Sequence, residues 1–208
     1  MLYSRFIFLS FIMLVLPCTV KANTILVMGD SLSAAYGIDL DQGWVNLMNN
    51  KLDQIQNDDT VWNVVNASVS GETTAGALAR LPDLLKKHQP ALCIIELGAN
   101  DGLRGQSVSQ MREHLNQMIT QCRVYGEVLL LGMKLPPNYG LKYTASFNQS
   151  YTDIAEKNDI PLVPFMLEGI AVDENYFQAD QFHPTAKAQS IILANIWPTL
   201  LTVLKSLE

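Results

Sequence analysis

Residues 25 to 33 read ILVMGDSLS, four apolar residues running into a glycine, a carboxylate and two hydroxyls. Ser31 stands where a strand would end. Its hydroxyl can attack a carbonyl or merely cap the turn that follows, a task equally open to Asp30. The stretch is not the G-x-S-x-G elbow, because Ser33 occupies the second glycine position.

A serine nucleophile needs a base within hydrogen-bond reach and a group that orients the base. Histidine suits that task near neutral pH, and the chain has three. His88 follows Lys86-Lys87 at the end of a helical segment, where the helix dipole favours a cation. His114 lies among Arg112, Glu113 and Asn116 and is expected on an exposed face. Both read as structural.

His183 differs, standing in Ala179-Asp180-Gln181-Phe182-His183-Pro184. Pro184 keeps His183 out of helical dihedrals, so the ring is held on a turn. From there Asp180 can bond one ring nitrogen and leave the other for Ser31. A surface turn capped by aspartate accounts for the same segment. Donors for an oxyanion come from Gly71, whose amide no Cβ shields, and Asn100, whose side-chain NH2 lies in a loop bounded by Gly98 and Gly102. Both also fit ordinary turn chemistry.

The elements that must position these residues are short. Apolar runs at 24–28, 61–65, 91–97, 128–133 and 161–165 have strand length. Between them lie helical spacings such as Trp44, Leu47, Met48, Leu52, Ile55 and Tyr143, Phe147, Tyr151, Ile154. Continuous apolar runs suit strands buried on both faces of a parallel sheet, so the expected class is a three-layer α/β/α sandwich. A last helix is expected from Pro184, kinked at Pro198. Ligands of such sheets bind at the carboxyl ends of the strands, and Ser31, Gly71, Asn100 and the Lys134 to Gly140 loop each follow one directly.

Residues 1–22 read as a secretory signal peptide, with Arg5 in the n-region, an apolar run from Phe6 to Leu16 too short to span a bilayer, and Val20-Lys21-Ala22 at the cleavage site. Leu16-Pro17 before Cys18 disfavours lipid modification, so no stable membrane anchor is expected. The remaining 23–208 read as one domain. Of 14 basic and 20 acidic residues, Arg5 and Lys21 leave with the segment, which moves the formal charge from −6 to −8 and excludes nucleic acid as a partner. With 49% apolar residues the chain can bury one substantial core. Cys93 and Cys122 read as small core hydrophobes, and no metal site is expected.

In chain order, serine, glycine, asparagine and histidine after successive strands resemble the SGNH hydrolases, also called the GDSL family, and within them the bacterial periplasmic members with thioesterase, lysophospholipase and arylesterase activity. Further likeness lies in NASVSGETT from Asn66, LARLPDLLKKHQP from Leu78, IIELGANDGLRG from Ile94, LPPNYG from Leu135 and LVPF from Leu162. The resemblance implies a flavodoxin-like five-stranded parallel sheet of order 2-1-3-4-5, and no cofactor. It also implies Ser31 as nucleophile with Asp180 and His183 completing a triad, and an oxyanion hole from the Ser31 amide, the Gly71 amide and the Asn100 side chain. Two places depart from the pattern: Ala99 replaces a glycine of the GGND form, and Ala179 and Gln181-Phe182 replace the usual DDGIHP surroundings of Asp180. Adjusted rates or specificity are expected from these, without lost activity.

Leu135, Pro136, Pro137, Asn138 and Tyr139 follow the fourth strand and should border the site as a stiff apolar wall. In the family this loop and the segment corresponding to Glu72 to Leu81 shape a groove for a fatty acyl chain. The expected partner is a small acyl ester or thioester of medium or long chain, taken by a monomer. The competing functions are a carbohydrate O-acetylesterase and a fatty-acyl-binding protein whose serine never reacts.

Overall fold

The computed structural model describes residues 22–55 and 61–207. The signal peptide expected over residues 1–22 lies outside them, except for the backbone of Ala22.

Five strands, β1 (Ala22–Gly29), β2 (Val61–Asn66), β3 (Leu92–Glu96), β4 (Glu127–Leu131) and β5 (Leu162–Val163), form one sheet of order β2-β1-β3-β4-β5. Every pairing is parallel. Ile25 to Met28 and Leu92 to Ile95 have no exposed surface, as continuous apolar runs between two helical layers require. The edge strand β2 is less consistent, with Trp62 buried and Asn63 exposed.

α1 (Trp44–Asp53) and α6 (Ala186–Lys205) pack against each other on one face. α2 (Thr74–His88), α4 (Val108–Cys122) and α5 (Leu141–Asn158) form a row on the other, and a short α3 (Ala99–Leu103) follows β3. The architecture is therefore the three-layer sandwich with the flavodoxin-like strand order. Thr73 caps α2 by accepting from the Gly76 amide at 3.3 Å, and Ser107 caps α4 through the Gln110 amide at 3.4 Å.

Several boundaries differ from the periodicity, each for a local reason. β5 contains two residues instead of the five expected from Pro161 to Phe165, because Pro161 and Pro164 on either side have no amide to give to the ladder. α1 ends before Ile55, which is half exposed. The last helix begins at Ala186, not Pro184. Pro184 is held in an antiparallel bridge with Phe177, the Thr185 amide donates to the Tyr176 carbonyl at 2.8 Å, and Thr185 is the extended N-cap residue. Pro198 lies inside α6.

Cys93 and Cys122 are buried free thiols, and the second thiol beside it, together with burial, drives the Cys93 thiol far up. No described helix is long and apolar enough to cross a membrane.

Candidate active site

All the loops singled out above reach the carboxyl edge of the sheet. β1 ends at Gly29, and Asp30 directs the chain into a turn in which the Ala34 amide donates to the Asp30 carbonyl at 3.0 Å. The side chain bracing this turn belongs to Asp30, whose Oδ1 accepts from the Leu32 amide at 3.0 Å. The half-buried Ser31 has its hydroxyl engaged elsewhere, with Oγ 3.0 Å from His183 Nε2.

The opposite ring nitrogen, His183 Nδ1, lies 2.6 Å from Asp180 Oδ2. Asp180 Oδ1 accepts from the Phe182 and His183 amides at 2.9 and 3.0 Å. These bonds from His183, backbone first and ring second, with the Phe182 amide, lower the Asp180 carboxyl to about 2. It stays ionised whenever the imidazole needs a fixed tautomer or an anion beside its cation. An acceptor-only carboxylate on Nδ1 leaves Nε2 without a proton, so it can accept one from Ser31.

The turn carrying His183 is tied to the turn carrying Ser31. Gln178 Nε2 donates to the Tyr36 carbonyl at 2.8 Å and to the Pro184 carbonyl at 3.0 Å. The Tyr36 ring sits against the imidazole, centroids 4.4 Å apart and planes at 40°. Neither residue was expected from the sequence, where each is one more polar or aromatic residue in a loop. Gln181 adopts φ +62, the left-handed region, where the usual pattern has glycine.

The Gly71 loop is braced from both sides. Arg80 donates to the Ala67 carbonyl at 2.6 Å and to Glu72 at 2.6 Å, and Arg104 donates to the Gly71 carbonyl at 2.9 Å. Gly71 itself has φ +77, a conformation that any Cβ would strain. Asn100 sits in the first turn of α3, after Gly98 at φ +114, where a Cβ would lie 2.5 Å from the Tyr151 hydroxyl. Buried Asp101 accepts from the Thr74 amide at 2.9 Å and from its hydroxyl at 2.5 Å, which fixes α3 against the start of α2.

His114 is a correction to the expectation of an exposed face: it is half buried, with Nδ1 3.0 Å from the same Thr74 hydroxyl. Thr74 needs a second partner on the α4 side, and His114 supplies it. His114 belongs to that structural network, and His88 stands in the last turn of α2, as the dipole argument expects.

A cavity of about 530 Å³ opens beside the site, within the roughly 300–1,000 Å³ of small-molecule pockets. Ala99, the neighbour of Asn100, and Phe182, the neighbour of His183, line it with Leu103, Met133, Leu135 and Phe165. Pro136 and Pro137 also border it, whereas Asn138 and Tyr139 do not. Nor does any residue of the segment from Glu72 to Leu81. The facing wall comes instead from the chain after β5, between Phe165 and Phe182, which helical and strand periodicity could not mark because its regular structure is limited to one 3-10 turn at Glu174–Tyr176 and the single bridge at Phe177. Among the described residues, no group of three or more His, Cys, Asp or Glu could hold a metal ion.

A family model described as GDSL-like Lipase/Acylhydrolase matches residues 27–191. The chain belongs to this family. The GDSL chain is 49% identical over 180 residues to the Esterase TesA of Pseudomonas aeruginosa, covering 86% of this chain and 88% of the relative. It is 41% identical over 172 residues to the Thioesterase 1/protease 1/lysophospholipase L1 of Escherichia coli K12, covering 82% and 80%. The psychrotrophic esterase EstA of a Pseudoalteromonas species, solved inhibited by monoethylphosphonate, superposes with a TM-score of 0.81 at 41% identity, covering 88% of this GDSL chain and 99% of that one. A GDSL acylhydrolase is an ester-hydrolysing enzyme, and the sheet described above is its scaffold.

Proposed function

We propose that this chain hydrolyses carboxylic esters and thioesters of medium or long acyl chains through an acyl-serine intermediate. One observation carries the reading: Ser31 Oγ, the His183 ring and the Asp180 carboxylate form a continuous line of hydrogen bonds at 3.0 and 2.6 Å. His183 Nε2 takes the Ser31 proton as Oγ bonds the acyl carbon, then passes it to the departing alkoxide or thiolate. Water then attacks the acyl-enzyme with His183 again as base, and the acid and free Ser31 are released. The Ser31 amide, the Gly71 amide and the Asn100 side chain would bind the carbonyl oxygen as it gains charge.

The apolar cavity favours an acyl chain over an acetyl group, and Leu135, Pro136 and Pro137 line it. Asn138 and Tyr139 lie further along the same loop, in a 3-10 turn outside the cavity lining. Relatives named as an esterase and as a thioesterase and lysophospholipase support the pairing of ester with thioester. The segment at residues 1–22 supports export to the periplasm, where the mature 23–208 would act as a monomer without a cofactor.

Intact-mass measurement after a fluorophosphonate probe tests the chemistry. One adduct is expected on the native chain and none on Ser31→Ala, and no adduct on either makes the chain a binder. Comparing p-nitrophenyl acetate with octanoate and longer esters tests the substrate. A strong preference for acetate would overturn the long-acyl reading in favour of an O-acetylesterase.

A further inference from the structure

Beneath Ser31 lie two carboxyls that the proposed chemistry leaves unused. Asp30 is 1% exposed and Glu96 0%. The strand register that pairs Gly29 with Glu96 brings them together. Asp30 Oδ2 accepts from Asn100 Nδ2 at 3.0 Å, and Oδ1 accepts from the Leu32 amide. Glu96 Oε2 accepts from the Ser33 hydroxyl at 2.7 Å and from the Asp30 amide at 3.2 Å, while its Oε1 is buried without a partner.

We propose that Asp30 and Glu96 are a buried carboxyl pair that positions Asn100: Asp30 holds one side-chain N–H of Asn100 so that the other faces the oxyanion, and Glu96 holds Asp30. The proposal rests on the reading of Asn100 as an oxyanion donor.

The geometry explains why a carboxylate is needed. An amide NH2 carries two protons on one nitrogen, so fixing one of them fixes the direction of the other. The free side-chain amide can otherwise rotate or present its oxygen, which repels a developing oxyanion. Asp30 offers only acceptors and therefore accepts from Leu32 and Asn100 together. An asparagine in its place offers one oxygen and one NH2, so one of the two donors must face another donor.

Glu96 completes the pair by staying neutral. An ionised Glu96 would carry a buried charge against Asp30 with an unpartnered oxygen, which burial penalises heavily. Burial and then the Asp30 charge hold its carboxyl well above the usual range, and its Oε2 holds Asp30 through that residue's backbone amide. Burial raises Asp30 to about 6, opposed by the Leu32 amide, the Asn100 amide, Glu96 and the charge of His183. Besides Glu96 on β3 and His183 before α6, Tyr151 on α5, which burial keeps protonated, interacts with Asp30, and Tyr151 also feels the charge of Asp101 on α3. Above about pH 6, Asp30 is a charged acceptor for Asn100; below it, a proton competes for that position.

A double-mutant cycle with single-turnover kcat as its readout separates positioning from general support. Asp30→Asn is expected to lower kcat roughly 30- to 100-fold with KM within about twofold. In an Asn100→Ala background the same substitution is expected to cost less than about threefold, because the donor it serves is gone. Equal losses in both backgrounds would overturn the proposal, as would native kcat in Asp30→Asn. Glu96→Ala should lower kcat, and Glu96→Gln, which keeps an acceptor and a donor, should recover most of that loss; equal loss in both would remove Glu96 from the pair. Native kcat in Asn100→Ala would instead remove the oxyanion reading itself.

A readout without activity covers variants that fail to fold. In 15N-labelled His183→Ala, where no catalytic imidazole titrates, the Asn100 side-chain amide resonance should move with a midpoint near pH 6. No movement between pH 5 and 7.5 would overturn the proposal.

Discussion

Two aspartates converge on the surroundings of Ser31, one through His183 and one through Asn100, and their environments are opposite. Asp180 keeps 40% of its side chain exposed and accepts from two amides and an imidazole, so its carboxyl falls to about 2. Asp30 also accepts from an amide and a side chain, yet 1% exposure takes away the water that would stabilise its charge, and its carboxyl rises to about 6. Donors are similar in kind; solvation separates the two. A carboxylate whose task is to remain charged beside an imidazole is kept near water. One whose task is to fix an amide's direction is placed in the core, where nothing else competes for the amide.

The largest expected break in this comparison is Asp180→Asn. It preserves shape but offers an NH2 where Nδ1–H needs an acceptor, which favours the wrong tautomer. A fall in kcat of about 10³- to 10⁴-fold is expected, with KM little changed, measured on a p-nitrophenyl ester under saturating conditions. A loss below tenfold would show that Asp180 does not orient His183.

Next comes stability against pH, where the two residues should act with opposite signs. At Asp30 the folded value of about 6 exceeds the unfolded 3.8, so the folded chain keeps a proton that the unfolded chain has released. This term loses stability as pH rises from about 4 to 6, on the order of 2 to 3 kcal/mol in all. Asp30→Asn deletes the titration, and its Tm relative to native should be roughly 5 °C more favourable at pH 7.5 than at pH 4.5. Asp180 is depressed, so it contributes stability above about pH 4 that is lost as pH falls through about 2. The Tm deficit of Asp180→Asn should therefore be larger at pH 7 than at pH 3, and small because solvent screens this exposed pair. Slopes of equal sign in calorimetric scans would remove the contrast.

Gln178→Ala probes how firmly the exposed side of the comparison is held. Losing the bonds to Tyr36 and Pro184 should lower kcat about tenfold, the equivalent of roughly 1.4 kcal/mol, without moving the Asn100 amide resonance. A smaller effect attaches to Gln181→Gly. It relieves φ +62 at about 1 to 2 kcal/mol but loosens the unfolded chain by about 0.5 to 1 kcal/mol, so a gain of roughly 0.5 kcal/mol is expected by urea denaturation.

Much of the scaffold was legible because a parallel sheet buried on both faces leaves a mark on sequence that nothing else of that length leaves: Ile25 to Met28 and Leu92 to Ile95 admit no polar residue. Pro184 misled for an equally physical cause. Its lack of an amide suits a helix start and an extended bridge alike, and only the pairing with Phe177 decides between them. The second wall of the cavity left no mark at all, since the chain from Phe165 to Phe182 has no periodicity to read.

By itself, the sequence determined the layered class, the strand ends that carry Ser31, Gly71 and Asn100, and the single histidine placed on a proline-held turn, because these follow from local pattern and backbone chemistry. Only the tertiary structure decided which oxygen Asn100 leans on, that Glu96 lies beneath Asp30, and that Gln178 ties the two turns together. Those contacts join residues far apart in the chain, and what each does depends on how much water the fold leaves around it, a quantity no local spacing records.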